Sequence, residues 1–255
     1  MKEAPQENKE PFKEALMPMP EFSPAIKSLQ SRPDKLIRHW LIDAYDKDIL
    51  DKKVAKKILE KNVLEFKEGI RDIRELSERY GIALPAFEFV IGERSEDKIN
   101  IFTVIDKIYG KSLVSIEKFS PEAKDELDKF YSSMAQYYFD KYKRGGSYFW
   151  DFKNSQFVYG HKKGEKEDKV YMVDIEPRSD KHGEQDNSFD ILMRADNVLT
   201  DALGAGKRFD GVVKFDKTIN TFKQNLEEIS GSKDDRIEKR IESLKIRLQK
   251  YEEGK

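Results

Sequence analysis

The chain has no cysteine, so disulfides, thiolate metal sites and a cysteine nucleophile are excluded. It has only three histidines, His39, His161 and His182, scattered without the spacing of a zinc site. It has almost no net charge: 48 Lys+Arg stand against 49 Asp+Glu, a balance of −1. A dedicated nucleic-acid binder needs a surplus of cations to displace counterions, so that class is disfavoured. No run approaches the roughly 18 apolar residues that span a bilayer, so no membrane partner is expected. The first residues, MKEAPQENKEPFKEAL, lack the apolar core of a secretory leader, and the expectation is a cytoplasmic protein. Glycine is missing from the first 68 positions, since the first is Gly69. Proline is unevenly spread, with Pro5, Pro11, Pro18, Pro20, Pro24 and Pro33 crowding the start. Proline removes backbone donors and restricts the residue before it, so residues 1–30 read as an extended, mostly disordered tail.

What is present is charge and aromatic surface. Charged residues make up 38% of the 255, more than the quarter or so of an average domain. Apolar residues are another 38%, and 16 Phe, 11 Tyr and 2 Trp supply enough large side chains for a core. The length suits one large domain or two lobes.

Periodicity places the elements. KLIRHWLIDA (35–44) is apolar and aromatic without one clear period, and KVAKKIL (53–59) fits either a strand or a helix start. Residues 62–80 carry Val63, Phe66, Ile70, Ile73, Leu76 and Tyr80 at three-to-four spacing, one face of an amphipathic helix stopped by Gly81. AFEFVIGE (86–93) and INIFTVIDKIYG (99–110) flank the polar turn RSEDK and read as a hairpin. Ser120-Pro121 predicts a helix start, and Leu127, Phe130, Met134, Tyr137 and Tyr138 form its buried side. Arg144-Gly145-Gly146 ends it. VYMVDIEP (170–177) is strand-like, 189–203 is helical, and Ile237, Ile241, Leu244 and Leu248 give the last helix its register. Gly204-Ala205-Gly206-Lys207 suggests a phosphate loop, but Arg208 stands where Ser or Thr is required, so it reads as a helix stop.

Two carboxylates frame the candidate chemistry. Asp151 precedes a short loop into a strand, and Asp174 ends the next strand. A hairpin between them would bring both to one sheet edge, where they and the Gln156 amide offer oxygen ligands to a hard cation such as Mg²⁺. Two surface acids in turns are the rival account.

The order of segments resembles the eukaryotic-type protein kinases and, more loosely, the aminoglycoside and choline phosphotransferases. LIDAYDKDILDKKVAKKIL (41–59) looks like the second and third kinase strands, with Val54-Ala55-Lys56-Lys57 at the lysine motif. Helix 62–80 follows as the αC helix would, and TVIDKIYGKSL (103–113) is similar to the fifth strand and hinge. DFKNSQF (151–157) resembles the D-x-K-x-x-N catalytic loop, MVDIEP (172–177) stands where the DFG aspartate does, and 189–211 is similar to the αF helix and the turn after it. The resemblance implies an α+β, two-lobed kinase-like fold: a small β-rich N-lobe (31–110) and a mainly helical, shortened C-lobe (111–255). It implies ATP and Mg²⁺ as cofactors and a protein or small-molecule hydroxyl as acceptor. Asp151 would take the hydroxyl proton and Lys153 would steady the γ-phosphate. Lys57 would hold the other phosphates, supported by a helix carboxylate, Glu68 in one register with Glu65 and Glu75 competing. Ile105, Asp106, Lys107 and Ile108 would grip adenine, and Gln156 and Asp174 would ligate the metal.

The departures are as specific. PDKLIRHW stands where a glycine-rich loop is expected, and Phe149 stands where a His is usual two before the aspartate. Gln156 replaces Asn, DFG reads Asp174-Ile175-Glu176, and 190 − 174 = 16 positions leave a short activation segment. These favour a second reading, a pseudokinase acting as a nucleotide-binding or protein-interaction module. An unrelated α+β interaction protein is the third.

Overall fold

Strand β3 (Lys35–Asp43) and strand β5 (Lys98–Asp106) pair along their whole length, from Lys35 opposite Asp106 to Asp43 opposite Lys98. The computed structural model describes residues 16–18, 26–29, 31–43, 52–94, 98–149, 152–173 and 188–253. Around that central pair a five-stranded antiparallel sheet forms in the order β1-β2-β3-β5-β4, with β1 at Leu16–Pro18, β2 at Ile26–Leu29 and β4 at Phe87–Arg94. The expected hairpin over 86–110 is the β4–β5 pair, with a register shift between Ile91 and Arg94.

Side chains alternate across a strand, so each face collects every second residue. On one face Ile42, Ile99 and Ile101 are buried together with Leu59, and Val63, Phe66 and Phe89 pack against them. On the other, Ile37, Phe102 and Val104 form a second cluster with Val90 beside it. Two stretches of the expected disordered tail are strands. The unpaired backbone edge of β3 explains this: β2 satisfies it through Ile26, Lys27 and Ser28, and β1 then covers β2. Pro18, with no N–H to offer, stands on the edge strand, where a missing donor costs least.

Helix α1 (Lys52–Tyr80) starts ten residues before the periodic stretch 62–80. The run KKVAKKILEK therefore belongs to the helix and not to a strand, which corrects the alignment of 41–59 with two strands. Lys, Ala, Leu and Glu are strong helix formers and no Gly or Pro interrupts them before Gly69. Gly81 ends the helix at φ 70°, with its N–H on Ser77 O and the Ile82 N–H reaching back to Leu76 O.

The second half is built on helix α2 (Ala123–Arg144), which buries Leu127, Phe130, Tyr131, Met134, Tyr137, Tyr138 and Phe139. The helix begins after Ser120-Pro121, whose carbonyls accept from Ala123 N and Lys124 N. Its neighbours are α3 (Ser188–Gly206) and α4 (Asp216–Ile229). Phe139 meets Phe222 edge to face at 5.2 Å. Asp128 caps α4 from outside: its carboxylate accepts from Lys217 N at 3.0 Å, Thr218 N at 2.8 Å and Thr218 Oγ1 at 2.8 Å. Helix α5 (Asp235–Glu252) buries Ile237, Ile241, Leu244 and Leu248 in the expected register, and Asp196 of α3 bonds Arg240 at 2.8 Å and Arg247. The glycines at 204 and 206 do not break α3, which runs through Gly206. That residue is small because the Val213 carbonyl lies against it, 2.5 Å from where a Cβ would sit.

A three-stranded sheet, in the order β6-β7-β8, joins β6 (Ile108–Ser112), β7 (Phe157–Lys162) and β8 (Lys169–Met172). The chain divides into two compact units: Met1–Phe66 with Pro85–Tyr109 and Lys162–Gly164, and Lys67–Leu84 with Gly110–His161 and Glu165–Lys255. Helix α1 gives its first half to one and its second half to the other. A β-rich unit and a mainly helical unit make this an α+β, two-lobed, kinase-like fold. Among the described residues no helix is long and apolar enough to cross a membrane.

Candidate functional site

The loop from Ser147 to Gln156 enters strand β7, and β8 returns antiparallel beside it, Phe157 opposite Met172 and Gly160 opposite Lys169. That register sets Gln156 next to the exit of β8. The Val173 N–H donates to the Gln156 carbonyl at 2.9 Å, and the Gln156 N–H donates to Lys153 O at 2.9 Å in a single 3-10 turn over 154–156. Gln156 is 5% exposed, and its side-chain oxygen accepts from Lys153 N at 3.2 Å. Lys153 is extended and exposed. Asn154 accepts from the Tyr131 hydroxyl at 3.3 Å. Phe152 is buried against Phe130, Phe157 and Tyr138, with centroids 6.3, 5.4 and 6.4 Å away. The 3-10 turn thus brings Lys153 and Gln156 together. Asp151 and Asp174 lie outside the described residues, each one position from a described neighbour, Phe152 and Val173.

The proposed ion pair does not form. Lys57 and Glu68 are on the same helix, 68 − 57 = 11 residues apart. At about 1.5 Å rise per residue that is about 16 Å along the axis, far beyond contact. Lys57 is exposed on the first turns of α1, not on a strand. The basic side chain that the alignment passed over is Arg38 on β3. It is half-buried, stands opposite Thr103, and shares a face with Ile42, which packs toward α1. Its signal was alternation: Leu36, Arg38 and Ile42 share one face of a strand that KLIRHWLID does not announce as one.

The residues named for adenine, Ile105 to Ile108, end β5 and begin β6. Two of their amides are engaged internally: Asp106 N donates to Ala86 O at 2.9 Å and Lys107 N to Asp34 O at 2.8 Å. The Asp106 carboxylate is bonded to the Lys35 ammonium.

Sequence reasoning also missed a buried polar network behind the loop. Lys141 of α2 reaches Glu75 at 2.7 Å and Asp72 at 3.5 Å, both on α1. Ser147 Oγ donates to the same Asp72 oxygen at 3.1 Å. Burial pushes the Asp72 carboxyl above its ordinary range, against the pull of Lys141 and the Ser147 bond. Tyr80 donates to Asp140 at 2.8 Å, and burial together with that carboxylate raises its phenol to about 12. Nothing in the sequence marked these charged residues off from their exposed neighbours.

The oxygen donors at Gln156 and Asp174 suit a hard cation by chemistry, and the Gln156 side-chain oxygen accepts from Lys153 N. Among the described residues no group of three or more His, Asp or Glu is placed to hold a metal.

No protein-family model matches this chain, and no curated protein matches it. Among solved structures it is similar to a crystal structure of WbdD, at 12% identity and a TM-score of 0.36, covering 79% of this chain and 43% of that one. A co-crystal structure of WbdD with the kinase inhibitor LY294002 gives 10% identity, a TM-score of 0.36 and the same coverage. The chain spans less than half the length of these structures.

Proposed function

We propose that the chain is a kinase-like phosphotransferase that moves the terminal phosphoryl group of ATP to a hydroxyl of a protein or small molecule. The observation that carries this reading is the Val173–Gln156 bond at 2.9 Å. It ties the loop bearing Asp151, Lys153 and Gln156 to the strand exit that leads into Asp174, so the groups this chemistry needs come from adjacent backbone.

Asp151 orients the acceptor hydroxyl and takes its proton as the oxygen attacks the γ-phosphorus. The bond to the bridging oxygen breaks and ADP leaves. Lys153 neutralises charge on the transferring phosphoryl group. Gln156 and Asp174 hold Mg²⁺, which screens the phosphates when bound. With no glycine before Gly69, the loop backbone gives the phosphates little cradle, and weak nucleotide affinity follows. The pseudokinase reading is favoured by one observation: the Gln156 amide oxygen already accepts a bond from Lys153 N.

Transfer from labelled ATP and a thermal-shift titration with ATP and Mg²⁺ test this on the unaltered protein and two variants. Asp151→Asn should abolish transfer and keep nucleotide affinity, because its work is done in the transition state. Asp174→Asn should weaken Mg²⁺-nucleotide binding. Full transfer by the Asp151 variant means that the site is misplaced. Binding without transfer in the unaltered protein selects the pseudokinase, and no stabilisation by millimolar nucleotide overturns both.

A further inference from the structure

Two tyrosines of α2 grip the main chain of one loop residue, Phe149. The Phe149 N–H donates to the Tyr137 hydroxyl oxygen at 2.6 Å, and the Tyr138 hydroxyl donates to Phe149 O at 2.8 Å. The ring of Tyr138 also stands edge-on to Phe152, 6.4 Å between centroids at 88°. Tyr138 therefore touches the chain on both sides of Trp150-Asp151, the only two residues between Phe149 and Phe152. Tyr137, Tyr138, Phe149 and Phe152 are all buried. Upstream, Ser147 is fastened to Asp72 at 3.1 Å, and the Lys141 ammonium that bonds Asp72 and Glu75 lies 5.4 Å above the Tyr137 ring. The loop is held at Ser147, at both polar atoms of Phe149 and at Phe152, before and after the aspartate position.

We propose that Tyr137 and Tyr138 are positioning residues: their hydroxyls fix the main chain of Phe149, two residues before Asp151 and four before Lys153 in the sequence. The proposal deepens the phosphotransferase reading and rests on it for its catalytic consequence. Phe149 offers no side-chain hydrogen bond of its own, so the peptide on either side of its Cα is the only polar handle there, and both hydroxyls are spent on it. Burial keeps the Tyr137 phenol far above its ordinary range, so it remains a neutral partner at every working pH. A phenol to phenyl change removes the bond and leaves the ring in place, which separates positioning from packing.

The test compares Tyr137→Phe and Tyr138→Phe with Tyr80→Phe, a control that loses a hydroxyl bonded to Asp140 and Arg144 while its ring keeps its edge-on contact with Tyr137. Amide exchange over 147–153 in the unliganded protein is read beside kcat and KM for ATP. Each clamp variant should exchange about tenfold faster there, as loss of one hydrogen bond allows. Its kcat should fall about tenfold with KM for ATP within about twofold, since the lost interaction acts on the loop and not on nucleotide. Tyr80→Phe should change neither. Loop exchange equal in all three variants overturns the clamp, as does a kcat loss that Tyr80→Phe shares. If the unaltered protein transfers no phosphate, the phosphotransferase reading falls by itself, and the exchange rates still decide whether the tyrosines hold the loop.

Discussion

Replacing Lys141 with methionine should destabilise the protein more than any surface charge change, and the loss should shrink in acid. The Lys141 ammonium is 2.7 Å from Glu75 and 3.5 Å from Asp72, and the three side chains are 10%, 23% and 3% exposed. Methionine keeps the length and apolar stem but leaves two carboxylates desolvated and without their cation. Removing one partner of a buried charge pair costs about 3–5 kcal/mol. For a chain of this size each kcal/mol moves Tm by about 2–4 °C, so a fall of about 6–20 °C is expected. The pH dependence follows from sign. Burial already raises the Asp72 carboxyl above its ordinary 3.8, and Lys141 is the largest influence pulling it down. Without Lys141 the folded-state value climbs further. A group whose folded value lies above its unfolded one binds more protons in the native state, so stability drops as pH rises through that window and is restored below it. Urea melts from neutral pH down to about pH 4 should show the deficit of Lys141→Met closing. The pair Lys141→Met with Asp72→Asn should recover much of the loss at neutral pH. A neutral-pH deficit under about 1 kcal/mol, the range of exposed pairs, would refute the reasoning, and so would a deficit that does not change with pH.

Two further outcomes rest on backbone geometry. In Gly110→Ala the new Cβ would lie 2.2 Å from Tyr159 O and 2.7 Å from Gly160 Cα, both rigid backbone, so strand β6 must move off β7; a loss of about 1–3 kcal/mol or more in a urea melt is expected, and wild-type stability would mean that the strands are not in that contact. Deleting residues 1–30 removes β1 and β2 and bares the β3 edge from Leu36 to Arg38, so Tm should fall by more than a few degrees; an unchanged Tm would show that the two strands add nothing to the sheet.

Local pattern in the sequence determined what depends on neighbours along the chain. The periodic half of α1, the β4–β5 hairpin, the last helix and the end of α2 were all legible, because three-to-four spacing, alternation and glycine stops are local signals. The D-x-K-x-x-Q loop and the strand before Asp174 were legible as text, and their adjacency followed from a short hairpin. Tertiary structure decided the rest. KVAKKIL had no period of its own, and it became helix as the start of a helix whose Leu59 is buried against Ile42, Ile99 and Ile101. That choice took Lys57 off any strand and put it on the same helix as Glu68, 68 − 57 = 11 residues away. Leu16–Pro18 and Ile26–Leu29 carry no strand signal between their prolines; an open edge on β3 made them strands. Tyr137 and Tyr138 read as core by spacing, and so they are, but only the fold shows where their hydroxyls end. Hydrogen bonds between residues distant in sequence leave no period behind, so the polar links of the loop to α1 and α2 were decided by packing.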